Sequence, residues 1–308
     1  MTDNLKQGTS EVMPKVMERY SLGLQWLIWL GIFMGCFFVA QLVSSVIILA
    51  YYKSVDIKTI AQNPANLNVL RYAQMGASIL GFLLPAIIFS KLKDKKANRY
   101  THADKGFPLL LLVLIPLLIL TIYPIIDISF FINKWMPWSN WYASFQEEYK
   151  TIVNGLMNNP KYSILLLNIV TIAIVPAICE EWIFRGTLQR LLVEKLNVHT
   201  AVFLASCFFS FIHFEFSGFL PRIVLGMFLG YLYYYSGSLW ASIYAHVVNN
   251  GAQVVLIYLN NNGIYKVNID QPEMPNTWEL VLYTVAFALL WLLFLRFLQK
   301  RKMSTFTP

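Results

Sequence analysis

Two adjacent carboxylates stand inside a long apolar run. Glu180 and Glu181 follow Pro176, and Arg185 comes four residues after Glu181. An ionisable side chain at the centre of a membrane helix costs about 2.5 to 3.5 kcal/mol, so each one requires an explanation. Helical spacing pairs Glu181 with Arg185 and turns Glu180 about 100° away from them. The pattern predicts one neutralised and one free carboxylate, with a proline kink that opens space for water beside Glu180.

Two of the four histidines lie in neighbouring apolar runs. His213 follows Phe209 by four residues, so in a helix the two side chains share a face near the Ser217-Gly218 turn. In a later run, polar side chains recur at every fourth position, at Ser238, Ser242, His246 and Asn250. A stripe of this kind on an apolar helix faces a cavity or a partner helix.

These groups lie at comparable depths. Counted from the predicted cytoplasmic helix ends at ~1.5 Å per residue, Glu180 and His213 lie ~20 Å deep and His246 ~12 Å deep. A buried glutamate with a neutral imidazole is suited to activating a water molecule. His246 and Asn250 are suited to donating hydrogen bonds to the oxygen that becomes negative when water attacks a carbonyl. The chemistry that this predicts is amide hydrolysis inside a membrane.

The composition places such a site in a membrane protein. Of 308 residues only 13% are charged and 57% are hydrophobic, with a mean hydropathy of +0.54. A soluble domain has about 25% charged residues, so too little polar surface remains to cover a soluble enzyme. A disordered chain would be less hydrophobic, and a transmembrane β-barrel would alternate rather than run apolar. The net charge of +8 sits in short clusters between apolar runs and indicates topology rather than nucleic-acid binding.

Eight apolar segments are predicted to be helices, near residues 24–52, 70–90, 107–132, 162–193, 200–214, 222–236, 238–260 and 278–298. The fifth and sixth, at about 15 residues each, are closer to re-entrant helices than to full spans. About two thirds of the 24 Lys and Arg residues fall on one side of the membrane, most densely between Lys91 and Arg99. The positive-inside rule therefore predicts that both termini are cytoplasmic.

The predicted organisation is one transmembrane domain over 24–298, with its chemistry-bearing core at about 162–255. It lies between a cytoplasmic N-terminal segment, 1–23, and a cytoplasmic basic tail, 299–308. The stretch 142–157 is predicted to be interfacial, because it is too polar to span and follows three tryptophans, Trp135, Trp138 and Trp141. We therefore expect a multi-pass integral membrane protein, which in a bacterium would lie in the inner (plasma) membrane.

Three motifs occur in order within the apolar segments. They read Glu-Glu-x-x-x-Arg at 180–185, Phe-x-x-x-His at 209–213 and His-x-x-x-Asn at 246–250. Together they resemble the motifs of the CPBP family of intramembrane proteases, which contains type II CAAX-processing endopeptidases and bacteriocin-immunity proteins. Any one motif alone is weak, whereas three in order form a strong signal.

The resemblance implies an all-α bundle of eight helices with a conical cavity in the membrane. It implies that Glu180 and His213 activate water and that His246 and Asn250 form the oxyanion site. It gives Glu181 and Arg185 a supporting role, although a purely structural salt bridge explains that pair equally well. The implied substrate is a membrane-associated protein or peptide, which in eukaryotic relatives is a prenylated CAAX protein.

The cofactor and the activity are left open by the sequence. The family is often described as metalloproteases, yet a glutamate-activated water without metal is also argued for it. Two histidines and a carboxylate could ligate Zn²⁺, but no HExxH spacing supports this. A proton-coupled transporter and a non-catalytic immunity or scaffold protein are the alternative functions.

Other polar residues of the apolar segments are assigned to structure rather than to the site. Asp127 is expected to cap the outer end of its helix, and Asn249 to pack between helices because it lies about 100° from the His246 stripe. Glu215 and Arg222 flank the Ser217-Gly218 turn and are expected to pair there.

Overall fold

The computed structural model describes residues 16–53, 60, 67–136, 151–265 and 274–300. Regular structure within these residues is entirely helical, which confirms the predicted polytopic all-α fold. The eight principal helices are α1 (Leu22–Tyr52), α2 (Asn68–Lys93), α3 (Leu111–Lys134), α4 (Tyr162–Val193), α5 (Val198–Phe211), α6 (Phe219–Ser236), α7 (Leu239–Asn261) and α8 (Thr277–Lys300). Residues 151–157 form a further short helix.

Six of these helices are long and apolar enough to cross a membrane, so the chain is a multi-pass integral membrane protein. The fifth helix is short as predicted, with 14 residues. The sixth is longer than predicted: α6 has 18 residues and continues a short 3-10 turn at Phe216–Gly218. The 23 residues of α7 include most of the polar stripe, and α7 is not among the six apolar spans.

Some predictions concern residues outside the described ranges. These are Trp138, Trp141 and most of the predicted interfacial stretch, together with residues 1–15 and 301–308. The cytoplasmic location of both termini and the domain limits remain predictions.

Prolines follow a locally widened turn in two helices. In α2 the turn Ile79–Leu83 is π-helical and Pro85 follows it, and in α4 the turn Ile169–Ile174 is π-helical and Pro176 follows it. Proline has no N–H and its ring crowds the carbonyl four residues earlier, which in both helices lies within the widened turn. A third π-helical turn, Phe184–Gln189, lies on the other side of the two glutamates. The distortion predicted beside Glu180 thus takes the form of widened turns.

Aromatic packing joins α1, α2, α4 and α5. The ring of Phe33 lies 5.3 Å from Trp29, 5.9 Å from Phe82 and 6.4 Å from Phe184. The Trp29 indole N–H donates to Thr187 Oγ1 at 2.8 Å, so this buried polar group is satisfied. A second apolar cluster joins α3, α6, α7 and α8. The site lies on helices that both clusters hold in place.

A buried arginine fastens α2 to α4 and to the 151–157 helix. Arg71 is only 2% exposed. Its Nε donates to Asn168 Oδ1 at 2.7 Å, its Nη1 to Asn68 Oδ1 at 3.0 Å, and its Nη2 to the Leu156 carbonyl. These partners are all neutral, so the bonds stabilise the cation through geometry rather than through an opposite charge.

We predict that Arg71→Met destabilises the protein. Three hydrogen bonds from a charged donor are lost, at an expected cost of about 2 to 4 kcal/mol in unfolding free energy. SDS titration of the purified protein in detergent micelles measures this. Arg296→Met, the same change at an exposed position of α8, is the control and should leave the unfolding curve unchanged. Equal stability of the two variants would contradict the role given to Arg71.

Candidate active site

One carboxylate stands between two imidazoles from different parts of the bundle. Glu180, on α4, places Oε2 3.9 Å from His213 Nε2 and 3.8 Å from His246 Nε2. Both distances exceed a direct hydrogen bond and match a separation that one water molecule can bridge. The side chain of Glu180 is 12% exposed and that of His246 only 3%. The structure therefore brings together three residues that sequence spacing placed at a similar depth.

His213 lies in the turn after α5 rather than on the helix itself, because α5 ends at Phe211. Its Nδ1 lies 2.7 Å from the Phe209 carbonyl oxygen, and its ring packs edge-on against the Phe209 ring at 4.9 Å. A carbonyl oxygen only accepts, so Nδ1 carries the proton. In the neutral imidazole Nε2 is then an acceptor, and this is the nitrogen that faces Glu180.

The Glu181 carboxylate fixes the orientation of the His246 imidazole. Glu181 is fully buried, and its Oε1 lies 2.9 Å from His246 Nδ1. Its Oε2 accepts a hydrogen bond from Ser242 and forms an ion pair of 3.2 Å with Arg185 Nε. The predicted i, i+4 pair is therefore present and carries two additional partners. Because Glu181 accepts from Nδ1, His246 turns its Nε2 towards Glu180.

Arg185 continues the network into α6. Its Nη2 donates to the Gly226 carbonyl at 3.0 Å, and one turn further along α4 the amide of Gln189 donates to the Gly230 carbonyl at 3.0 Å. A Cβ at Gly226 would lie 2.9 Å from Ser206 on α5. The absence of a side chain at Gly226 thus lets α5 and α6 approach closely while its carbonyl accepts from Arg185.

Asn250 lies one turn after His246 and accepts a hydrogen bond from Asn249 Nδ2 at 3.1 Å. Among the described contacts, none joins Asn250 to Glu180, His213 or His246. Asn249 is buried and accepts from the Tyr123 hydroxyl at 3.2 Å, which links α7 to α3. The packing role predicted for Asn249 agrees with this contact. Asp127 lies half-buried on α3, away from the described contacts of the site.

Asn133 holds the turn that carries His213, and its spacing in the sequence does not predict this role. Asn133, buried near the end of α3, donates to the carbonyls of Phe216 and Ser217 at 2.8 Å each and accepts from the Leu220 N–H at 3.1 Å. The only signal in the sequence is a lone asparagine at the end of an apolar run. The pair expected at this turn is also present, with Arg222 Nη1 2.6 Å from a carboxylate oxygen of Glu215.

A cavity of about 410 Å³ reaches the site. Glu180 and His213 line it together with one face of α1, one face of α2 and the 151–157 helix. The Glu180 carboxylate is therefore reachable by a molecule in the cavity, whereas Glu181 is not among the residues that line it.

The side chains around Glu180 do not form a ready-made metal site. Within the described ranges, no group of three or more His, Cys, Asp or Glu side chains has an arrangement that could hold an ion. Glu181 holds Nδ1 of His246, which leaves Nε2 of this histidine facing Glu180. The Nε2 atoms of His213 and His246 and the Glu180 carboxylate face one another at separations that suit a bridging water.

Comparison with known proteins agrees with the motifs. Residues 162–252 match the family described as "Type II CAAX prenyl endopeptidase Rce1-like". This part of the chain is similar to that family, in agreement with the three motifs. The matched residues include Glu180, His213, His246 and Asn250. A relative from Bacillus subtilis (strain 168), named "Putative membrane peptidase YdiL", is 31% identical over 90 residues, which are 29% of this chain and 37% of that protein. No solved structure matches the chain.

We predict that Arg185→Met destabilises the protein by about 3 to 5 kcal/mol, because it leaves Glu181 as a buried charge without its cation. Adding Glu181→Gln to this variant should restore part of the loss, since the uncompensated charge is then removed. Unfolding free energies of the two single variants and the double variant, measured by SDS titration, form the cycle. Additive losses in the double variant would show that the two side chains are not coupled.

Proposed function

We propose that the protein is an intramembrane endopeptidase that hydrolyses a peptide bond of a membrane-associated protein or peptide. The observation that carries this proposal is the Glu180 carboxylate between two imidazoles at the wall of a cavity within a membrane domain. The family of the 162–252 region and the name of the Bacillus relative support the same reaction class.

The first step is the positioning of the attacking water. A water between Glu180 and His213 donates one hydrogen to the Glu180 carboxylate and the other to His213 Nε2. The second bond requires an acceptor at Nε2, which the bond from Nδ1 to the Phe209 carbonyl provides. Both lone pairs of the water oxygen are then directed away from the two acceptors. This orientation prepares the water for attack on a carbonyl carbon in the cavity.

The cluster can move one proton without changing its net charge. The charges of Glu181 and Arg185 cancel each other, so the net charge of the cluster depends on Glu180 and His246. Either both are neutral, or Glu180 is an anion beside a protonated His246, whose Nδ1–H is held by Glu181. A net charge of zero in both forms keeps the desolvation cost low in an apolar surrounding.

The hydrolysis uses these positions in turn. Glu180 takes a proton from the water as the water oxygen bonds to the carbonyl carbon. The protonated His246 donates Nε2–H to the oxygen that becomes negative, and we assign the Asn250 amide to the same oxyanion. As the C–N bond breaks, Glu180 returns its proton to the leaving amine. One water is consumed and an acid and an amine are released.

The alternatives make different demands on the same groups. A proton-coupled transporter would use Glu180 and the two histidines as a relay and release no peptide products. An immunity or scaffold protein would bind its partner without needing an ionised Glu180. A lipidated, CAAX-like substrate is the class suggested by the name of the matching family.

We predict that Glu180→Gln lowers cleavage by about 10²- to 10⁴-fold while the protein stays folded, because the amide cannot take the proton of the water. Protein reconstituted in liposomes is incubated with a library of peptides from membrane proteins, and new peptide ends are counted by mass spectrometry. Glu279→Gln, at an exposed position of α8, is the matched control and should retain full activity.

Equal product formation by the wild type and Glu180→Gln would overturn the proposed mechanism. An absence of new ends in every sample, together with pH-gradient-driven uptake of solutes into the same liposomes, would favour the transporter. Comparing the peptide ends found in cells that express either variant would name the substrate.

A further inference from the structure

Two consecutive hydrogen bonds join Asn250 to α3. Its Oδ1 accepts from Asn249 Nδ2 at 3.1 Å, and Asn249 Oδ1 accepts from the hydroxyl of Tyr123 at 3.2 Å. Both ends of the Asn249 amide are therefore occupied, so this side chain cannot rotate without breaking a bond. The orientation of the Asn250 amide thus depends on a tyrosine of another helix.

These bonds lie in an apolar part of the bundle. Tyr123 stands near the middle of the 24 residues of α3, and its ring packs against the apolar cluster that joins α3, α6, α7 and α8. Asn249 is only 2% exposed. In such a surrounding a hydrogen bond is stronger than in water, and an unpaired polar group is costly. The orientation that satisfies both ends of the Asn249 amide is therefore strongly preferred.

A third hydrogen bond determines the direction in which the groups donate. The side chain of Gln253, one turn after Asn249 on α7, also hydrogen-bonds to the Tyr123 hydroxyl. An amide carbonyl oxygen only accepts, so the hydroxyl hydrogen is used in the bond to Asn249. The Tyr123 oxygen consequently accepts from the Gln253 amide nitrogen. Each side chain thus donates to the next, in the order Gln253, Tyr123, Asn249 and Asn250.

The last side chain of this series has its donors available. Because Asn249 holds the Asn250 oxygen, the NH₂ group of the same amide points away from Asn249. Among the described residues none accepts a hydrogen bond from Asn250 Nδ2, and this atom is accessible. Asn250 lies one turn after His246, whose Nε2 faces Glu180 at 3.8 Å. The amide nitrogen is therefore placed on the helix face at which the reaction is proposed.

We infer that Tyr123 is a positioning residue, which through Asn249 presents the Asn250 N–H group to the oxygen that becomes negative during hydrolysis. This inference rests on the proposed peptidase function. An oxyanion is stabilised by donors that are oriented before the reaction begins. If the Asn250 amide were turned round, its carbonyl oxygen would face the oxyanion and repel it.

A second tyrosine separates this role from the attachment of α7 to α3. The hydroxyl of Tyr244, on α7, donates to the Leu112 carbonyl of α3 at 2.8 Å, and no described contact connects it to Asn249. Tyr123→Phe and Tyr244→Phe each remove one hydroxyl and one bond between the same two helices. Only Tyr123→Phe releases the Asn249 amide, so Tyr244→Phe is the matched control.

We predict that Tyr123→Phe lowers kcat about tenfold and leaves KM unchanged, because the oriented donor acts only when the oxyanion forms. Tyr244→Phe should keep the wild-type kcat. The probe is the library peptide that the wild type cleaves fastest in liposomes, with its products quantified by mass spectrometry. SDS titration checks that both variants stay folded. Equal kcat of Tyr123→Phe and the wild type, or an equal loss in Tyr244→Phe, would overturn the inference.

Combining Tyr123→Phe with Asn250→Ala shows whether the tyrosine acts through the asparagine. Asn250→Ala alone should lower kcat by about 10²- to 10³-fold, as the loss of an oxyanion donor does. In that background Tyr123→Phe should change kcat by less than about twofold, because no amide remains to be oriented. A further loss of about tenfold in the double variant would show that Tyr123 acts independently of Asn250, and the inference would be wrong.

The same assay distinguishes this inference from the proposed function. If the wild type cleaves and Glu180→Gln does not, the peptidase function holds even when Tyr123→Phe is fully active, and only the positioning role is overturned. If the wild type releases no new peptide ends, the peptidase function fails and the positioning role fails with it.

Discussion

Charges inside an apolar bundle persist only where opposite charges or hydrogen bonds stabilise them, and this constraint organises the centre of the protein. Glu181 is the residue on which the others depend, because it pairs with Arg185 and accepts from both Ser242 and His246. With that carboxylate satisfied, Glu180 stays without a permanent cation and faces the imidazoles. The division between a paired and an available carboxylate results from two adjacent positions on a helix.

Much of this arrangement could be predicted from the sequence, since membrane helices need long apolar runs and ionisable side chains stand out within them. The pairing of Glu181 with Arg185 follows from helical spacing and could be predicted from the sequence in the same way. The placement of His213 in a turn was harder to predict from the sequence, because it depends on where α5 ends. Asn133 could not be identified, because its partners are backbone groups of a turn far away in the chain.

The short α5 and the close approach of α6 both help to position the site. Because α5 ends at Phe211, His213 is held by a turn and not by a helix ladder, and the turn is fastened through Asn133 to α3. Gly226 and Gly230 let α6 lie close enough to receive hydrogen bonds from α4. Stability near the site thus comes from polar contacts between helices as well as from apolar packing, and these contacts also set the directions of the two imidazoles.

The widened turns of α4 have a consequence for comparing relatives. A π-helical turn contains one more residue than an α-helical turn over the same rise, so Ile169–Ile174 and Phe184–Gln189 each shift the helical register of the residues after them. A homologue with an unbroken α-helical ladder would be one residue shorter at each place. An alignment with such a homologue therefore needs a single-residue gap on each side of the two glutamates to keep equivalent faces together.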